Sequence, residues 1–128
     1  MSYYTDYNVD VVQTDPKTHA PLPLPCDMNK NLFVPQKVID FFKQDHIKLA
    51  FDRVNTFEGR AQWYDWEKEL MELSKNHPGL MFIIEGTGEN RDDAWIAWIT
   101  DGLSQYEKKY TTHNPFDVHA LTPEPKTW

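Results

Sequence analysis

Apolar and polar positions change their period several times along this 128-residue chain, and each change marks an element. Trp63, Trp66, Leu70 and Leu73 recur at three- and four-residue spacing, which places all four on one stripe of a helix. Asp65, Glu67 and Glu69 sit where they favour the positive end of that helix's dipole. Asn76-His77-Pro78-Gly79 stops it, with Asn76 able to take a left-handed cap and Pro78 unable to continue. Leu80 to Ile84 is an unbroken apolar run between turn residues, the pattern of a central strand covered on both faces. Ala94 to Thr100 follows as a strand with Trp95, Ala97 and Ile99 on one face and Ile96 and Trp98 on the other. Asp101-Gly102 is a two-residue hairpin signal, because both residues of such a turn need positive φ. Leu103 to Thr111 completes the antiparallel pair.

Upstream, Pro35 suits the first position of a helix, where its missing N–H is not needed. Pro35 to Gln44 then sets Val38, Ile39, Phe41 and Phe42 near one side of a short amphipathic helix. His46 to Val54 alternates, with Ile47, Leu49 and Phe51 on one face, and predicts a half-buried strand; Asn55 to Arg60 reads as an exposed loop. Residues 1–33 carry little helical periodicity. Val9, Val11 and the tyrosines Tyr3, Tyr4 and Tyr7 allow a short edge strand, and Pro21-Leu22-Pro23-Leu24-Pro25 predicts polyproline II lying along the domain.

These elements predict an α+β fold, a two-layer sandwich of about four mostly antiparallel strands with one or two helices on one face. The strand–helix–strand passage is expected to pair in parallel if it shares one sheet. The expected organisation is an extended proline-containing arm over 1–33, a core over 34–111, and a C-terminal arm or disordered tail over 112–128.

Composition narrows the classes. The single cysteine, Cys26, forms no internal disulfide and no metal site by itself. No basic start leads into an apolar run, and nothing approaches a spanning helix, so a cytoplasmic protein without membrane contact is expected. The net charge of −7 is unevenly placed: residues 61–101 hold nine acids against Lys68, Lys75 and Arg91, a net of −6. Such a field repels nucleic-acid phosphates and attracts basic surfaces.

Candidate chemistry is sparse. Glu85, Glu89, Asp92 and Asp93 crowd one turn, but their spacing matches no calcium loop and Arg91 stands among them, so no metal is expected. Gly86-Thr87-Gly88 leads into a strand and not a helix, which removes a phosphate-loop reading. His19, His46, His77, His113 and His119 are scattered, and Glu69 and Glu72 fall on the solvated side of their helix. No cofactor and no catalytic residue is expected. A histidine within hydrogen-bond reach of a cleft carboxylate would be the geometric sign of a small hydrolase instead. Trp95 and Trp98 face opposite ways: one belongs under the helix, the other under an arm or against a partner.

From Gln62 to Gln105, several pieces stand in order: Trp63-Tyr64-Asp65, Leu73-Ser74-Lys75, Pro78, Phe82, Glu85-Gly86-Thr87-Gly88-Glu89, Asp93, Trp95 and Asp101-Gly102. Together they resemble a helix–strand–strand block of small uncharacterised proteins encoded by bacteriophages and mobile elements. The resemblance implies a viral or mobile-element origin and no enzymatic activity. The expected function is therefore a non-catalytic inhibitor that occludes a basic surface of a host protein, for example a nuclease-based defence complex. Its expected contact residues are Glu85, Glu89, Asp92, Asp93, Trp95 and Trp98. The alternative is an assembly protein whose arms exchange between copies in a homo-oligomer.

Overall fold

The computed structural model describes residues 4–15, 17–20, 34–88, 94–108 and 118–123. Its strands are β1 (Thr5–Gln13), β2 (Ala50–Phe51), β3 (Thr56–Ala61), β4 (Leu80–Thr87), β5 (Ala94–Thr100) and β6 (Leu103–Lys108). They form one sheet in the order β2-β3-β1-β4-β5-β6, and every neighbouring pair is antiparallel. Two helices, α1 (Gln36–Phe42) and α2 (Trp66–Lys75), and a 3-10 turn (Val118–Ala120) complete the elements among the described residues. The α+β class is as predicted, with six strands in place of about four.

The largest correction concerns β1. It is no edge strand of an arm but a central one, hydrogen-bonded to β3 on one side and β4 on the other. Thr5, Tyr7, Val9 and Val11 are buried towards the helices, while Asp6, Asn8 and Asp10 point the other way. The polar alternation thus marks a central strand with one wet face, which antiparallel sheets permit. β1 also separates the strands that flank α2. β3 and β4 are both antiparallel to it and so run parallel to each other without pairing.

Further corrections lie in the β2–β3 region. Between α1 and β2 the chain turns at Gln44, whose carbonyl accepts the N–H of both Ile47 and Lys48, and Lys48 takes φ of 50°. Ile47 and Leu49 are buried as their alternation required, but only Ala50 and Phe51 join the sheet. The expected loop at 55–60 is mostly β3. Asp52 Oδ1 accepts the N–H groups of Val54, Asn55 and Thr56 and turns the chain into that strand. Burial alone would raise the pKa of Asp52, yet these backbone donors together hold it below the ordinary value of 3.8.

Helix ends shift by a residue or more. Pro35 is extended, with ψ of 147°, and stands just outside α1. Asn76 stays right-handed, and Gly79 carries the positive φ of 92° that reverses the chain into β4. Trp63 precedes α2 but is buried with its stripe. The Asp101-Gly102 turn has φ of 50° and 75°, as the hairpin required. β4 runs on from Ile84 to Thr87, and the description of β6 ends at Lys108. The polyproline stretch and Cys26 lie outside the described residues.

Both helices pack into one hydrophobic cluster on one sheet face. Val38, Ile39 and Phe42 of α1 and Trp66, Leu70 and Met71 of α2 join Tyr7, Val9, Phe57, Phe82, Ile84, Trp95 and Ile99. Burying each of these larger side chains contributes about 1.5–3 kcal/mol before entropy is counted. Rings hold the cluster together from end to end. Phe51 stacks on Phe57, which stacks on Phe42, and Trp66 stacks on Trp95 at 4.2 Å with planes 13° apart. On the opposite face Met81, Ile96 and Trp98 form a second, smaller cluster with Val12 and Ile83.

Candidate functional site

The sheet register assembles a polar patch that no contiguous stretch of sequence contains. On the face opposite the helices, Glu58, Asn8 and Glu85 lie side by side across β3, β1 and β4. With strands about 4.8 Å apart, the two glutamates stand about 10 Å apart at the backbone, with the amide between them. The adjacent row is Arg60, Asp6 and Thr87. Together they line an open depression of about 550 Å³.

Arg60 engages Asp6 through both oxygens, at 3.0 and 3.3 Å. Its hydrogen bond, with its charge, holds the Asp6 carboxyl below the usual value of 3.8. Asp10, one row further along, accepts a hydrogen bond of 2.8 Å from Thr56 Oγ1. Four acids therefore share this half of the face with one arginine, which already faces Asp6.

Of the residues expected at the contact, Glu85 stands in the depression, half-buried. Glu89, Asp92 and Asp93 lie outside the described residues. Trp95 packs under α2 on the other face, as expected for one of the two indoles. Trp98 shares the acidic face with Glu85 but is only 4% exposed. Neither ring is presented as an uncovered anchor in the chain by itself.

The solvated side expected for Glu69 and Glu72 of α2 is met by Glu72, which is exposed, while Glu69 is partly buried. Glu67 is buried and accepts a 2.6 Å hydrogen bond from Ser104 Oγ. Glu69 takes the Trp63 indole N–H on one oxygen at 3.0 Å and lies 2.7 Å from His46 Nε2 on the other. Glu72 stands 3.7 Å from Lys75. The sheet carries an acidic surface of its own, to which Asp6, Asp10 and Glu58 contribute from strands that sequence reading placed in an arm and a loop.

The His46–Glu69 pair is the histidine–carboxylate contact that the sequence could not show, since 23 residues separate the partners. It joins the turn after α1 to the first turns of α2, and neither residue lines the depression. His46 is about half exposed, and among the described residues Glu69 is its side-chain partner. His19 and Asp101 make a longer contact of 3.5 Å between the turn after β1 and the β5–β6 hairpin. His77 is partly buried, and that burial, with Lys37 nearby, lowers its pKa from 6.5. Among the described residues no group of three or more His, Cys, Asp or Glu side chains could hold a metal, and no helix is long and apolar enough to cross a membrane. No family model, curated protein or solved structure matches the chain.

Proposed function

We propose that the protein is a non-catalytic binding protein that occludes a basic surface of another protein. The acidic half of the sheet face opposite the helices makes the contact. The carrying observation is the cross-strand set Glu58, Asn8 and Glu85 beside Asp6 and Asp10, with Arg60 turned onto Asp6. Charge predominantly of one sign, fixed on strands, costs little reorganisation when a cationic surface meets it. The same field disfavours direct contact with nucleic-acid phosphates. Glu89, Asp92 and Asp93 follow Glu85 in sequence and belong to the proposed contact. The resemblance to phage and mobile-element proteins supports a host factor in the host cytoplasm as partner, a nuclease-based defence complex being one such target.

The test compares the immobilised full chain with its Glu58→Lys, Glu85→Lys double variant for proteins retained from a host lysate. Species bound by the parent should be lost from the variant and should elute with salt. Equal retention by both overturns the reading.

The 2.7 Å His46–Glu69 contact favours a second reading, a small acid–base hydrolase. It is the weaker one, because the pair stands away from the depression.

A further inference from the structure

We propose that β1 is an exchangeable strand. Two copies that fold together each place Thr5–Gln13 between β3 and β4 of the other, so that every acidic depression is built from two chains. The seat of β1 carries the inference. β3 and β4 run parallel with a gap one strand wide, and β1 closes it by antiparallel pairing on both sides. Its other contacts reach the same part of the fold. Tyr7 donates to the Trp63 carbonyl at 3.0 Å, and Thr56 donates to Asp10 at 2.8 Å. The Thr14 N–H meets the Gly79 carbonyl at 2.8 Å, and His19 lies 3.5 Å from Asp101. A second copy offers the identical slot.

The strand is joined to the elements that hold it through one stretch of chain, from Ala20 to Val34. The thirteen residues between these two span about 45 Å at full extension. Six strands about 4.8 Å apart make a sheet about 24 Å wide, so this reach carries β1 into an adjoining molecule. Exchange replaces each contact of β1 by the same contact in the other copy, and its cost is that of association.

An empty slot is no resting state. Withdrawing β1 uncovers Tyr7, Val9 and Val11 and unpairs one side of β3 and of β4. The choice between a chain's own β1 and a foreign one therefore falls during folding. A tethered segment meets its seat at an effective concentration of about millimolar or less, so copies at that concentration compete for it. In the exchanged dimer Asp6 and Asn8 of one copy line the depression with Glu58, Arg60 and Glu85 of the other. The exchange does not depend on what that face binds; it makes the protein bivalent for it.

The experiment uses the full chain with Cys26→Ser, unfolded in guanidinium chloride and refolded at about 1 μM and about 1 mM. Light scattering should show a monomer from the dilute sample and a dimer from the concentrated one, with circular dichroism alike. The dimer should persist for hours after dilution, because releasing β1 requires unfolding. Asp10 and Thr56 are paired in register. One copy carrying Asp10→Cys and another carrying Thr56→Cys, refolded together at about 1 mM and oxidised, should therefore be joined by a disulfide. Both substitutions in one chain refolded dilute should close the same bond internally, which verifies the geometry. A chain that is monomeric from both refolding concentrations overturns the proposal. So does a dimer whose two copies stay unlinked while the single-chain control links. A dimer that dissociates at once on dilution places the contact on the surface and overturns it too.

Discussion

The indole of Trp95 lies over Gly86 and fills the place where any other residue would carry its β-carbon. The two are direct cross-strand partners, and the row continues through Tyr7 to Gly59. Glycine and large aromatic thus alternate across four strands, and at Gly86 the Trp95 ring takes the space a side chain would need.

Gly86→Ala should therefore destabilise the fold by about 1–3 kcal/mol, the range for overpacking a fitted core. Gly59→Ala should do less, because its nearest neighbour at 3.2 Å is the Cδ2 methyl of Leu49, which can shift. Urea midpoints of the two variants check the order. Equal losses would mean that the Trp95 seat is not special.

Tyr7→Phe should destabilise by about 1–2 kcal/mol, because the buried Trp63 carbonyl loses the 3.0 Å hydrogen bond from the phenol. Burial pushes the Tyr7 pKa up from 10 to about 12. A group raised in the fold contributes stability that is complete below its unfolded value and lost above it. The parent should therefore lose stability between pH 10 and about 12 by an amount that Tyr7→Phe lacks. Chemical denaturation across that range measures it.

Asp52→Ala should lower stability by about 1 kcal/mol by leaving three backbone N–H groups to water. Asp52 is lowered in the fold, so its contribution is complete above 3.8 and fades as the pH falls below that value. The difference between parent and variant should shrink on acidification, as followed by thermal melts.

Glu69→Ala should cost more than His46→Ala, about 1–3 against about 0.5 kcal/mol. The first strands the Trp63 N–H of a buried ring, while the second removes a half-exposed partner. If the pair is structural, no esterase or phosphatase activity of the parent will depend on it. Such an activity, lost in both variants, would reverse the ranking of the two functional readings.

Legibility followed the range of the interactions. The Asp101-Gly102 turn, the span of β5 and the buried stripe of α2 rest on neighbours within a few residues, and the sequence displays them. β3 was hidden because Thr56-Phe57-Glu58-Gly59-Arg60-Ala61 is polar and carries a glycine; what makes it a strand is β1 alongside and Leu49 against Gly59. β1 looked like an edge because Asp6, Asn8 and Asp10 interrupt it. Only the sheet order shows that these residues, with Glu58 and Glu85, make one surface. The candidate patch needed three strands from distant parts of the chain, so only Glu85 of it could be named beforehand.

The place of β1 has a consequence for how the molecule is made. Thr5–Gln13 leaves the ribosome before either of the strands that flank it, which end at Ala61 and Thr87. During synthesis it must wait, a valine-bearing segment with both sides open, until β3 has followed it out. Long-range closure of this kind slows folding and lengthens exposure to aggregation. A chaperone that holds nascent chains would find a target there.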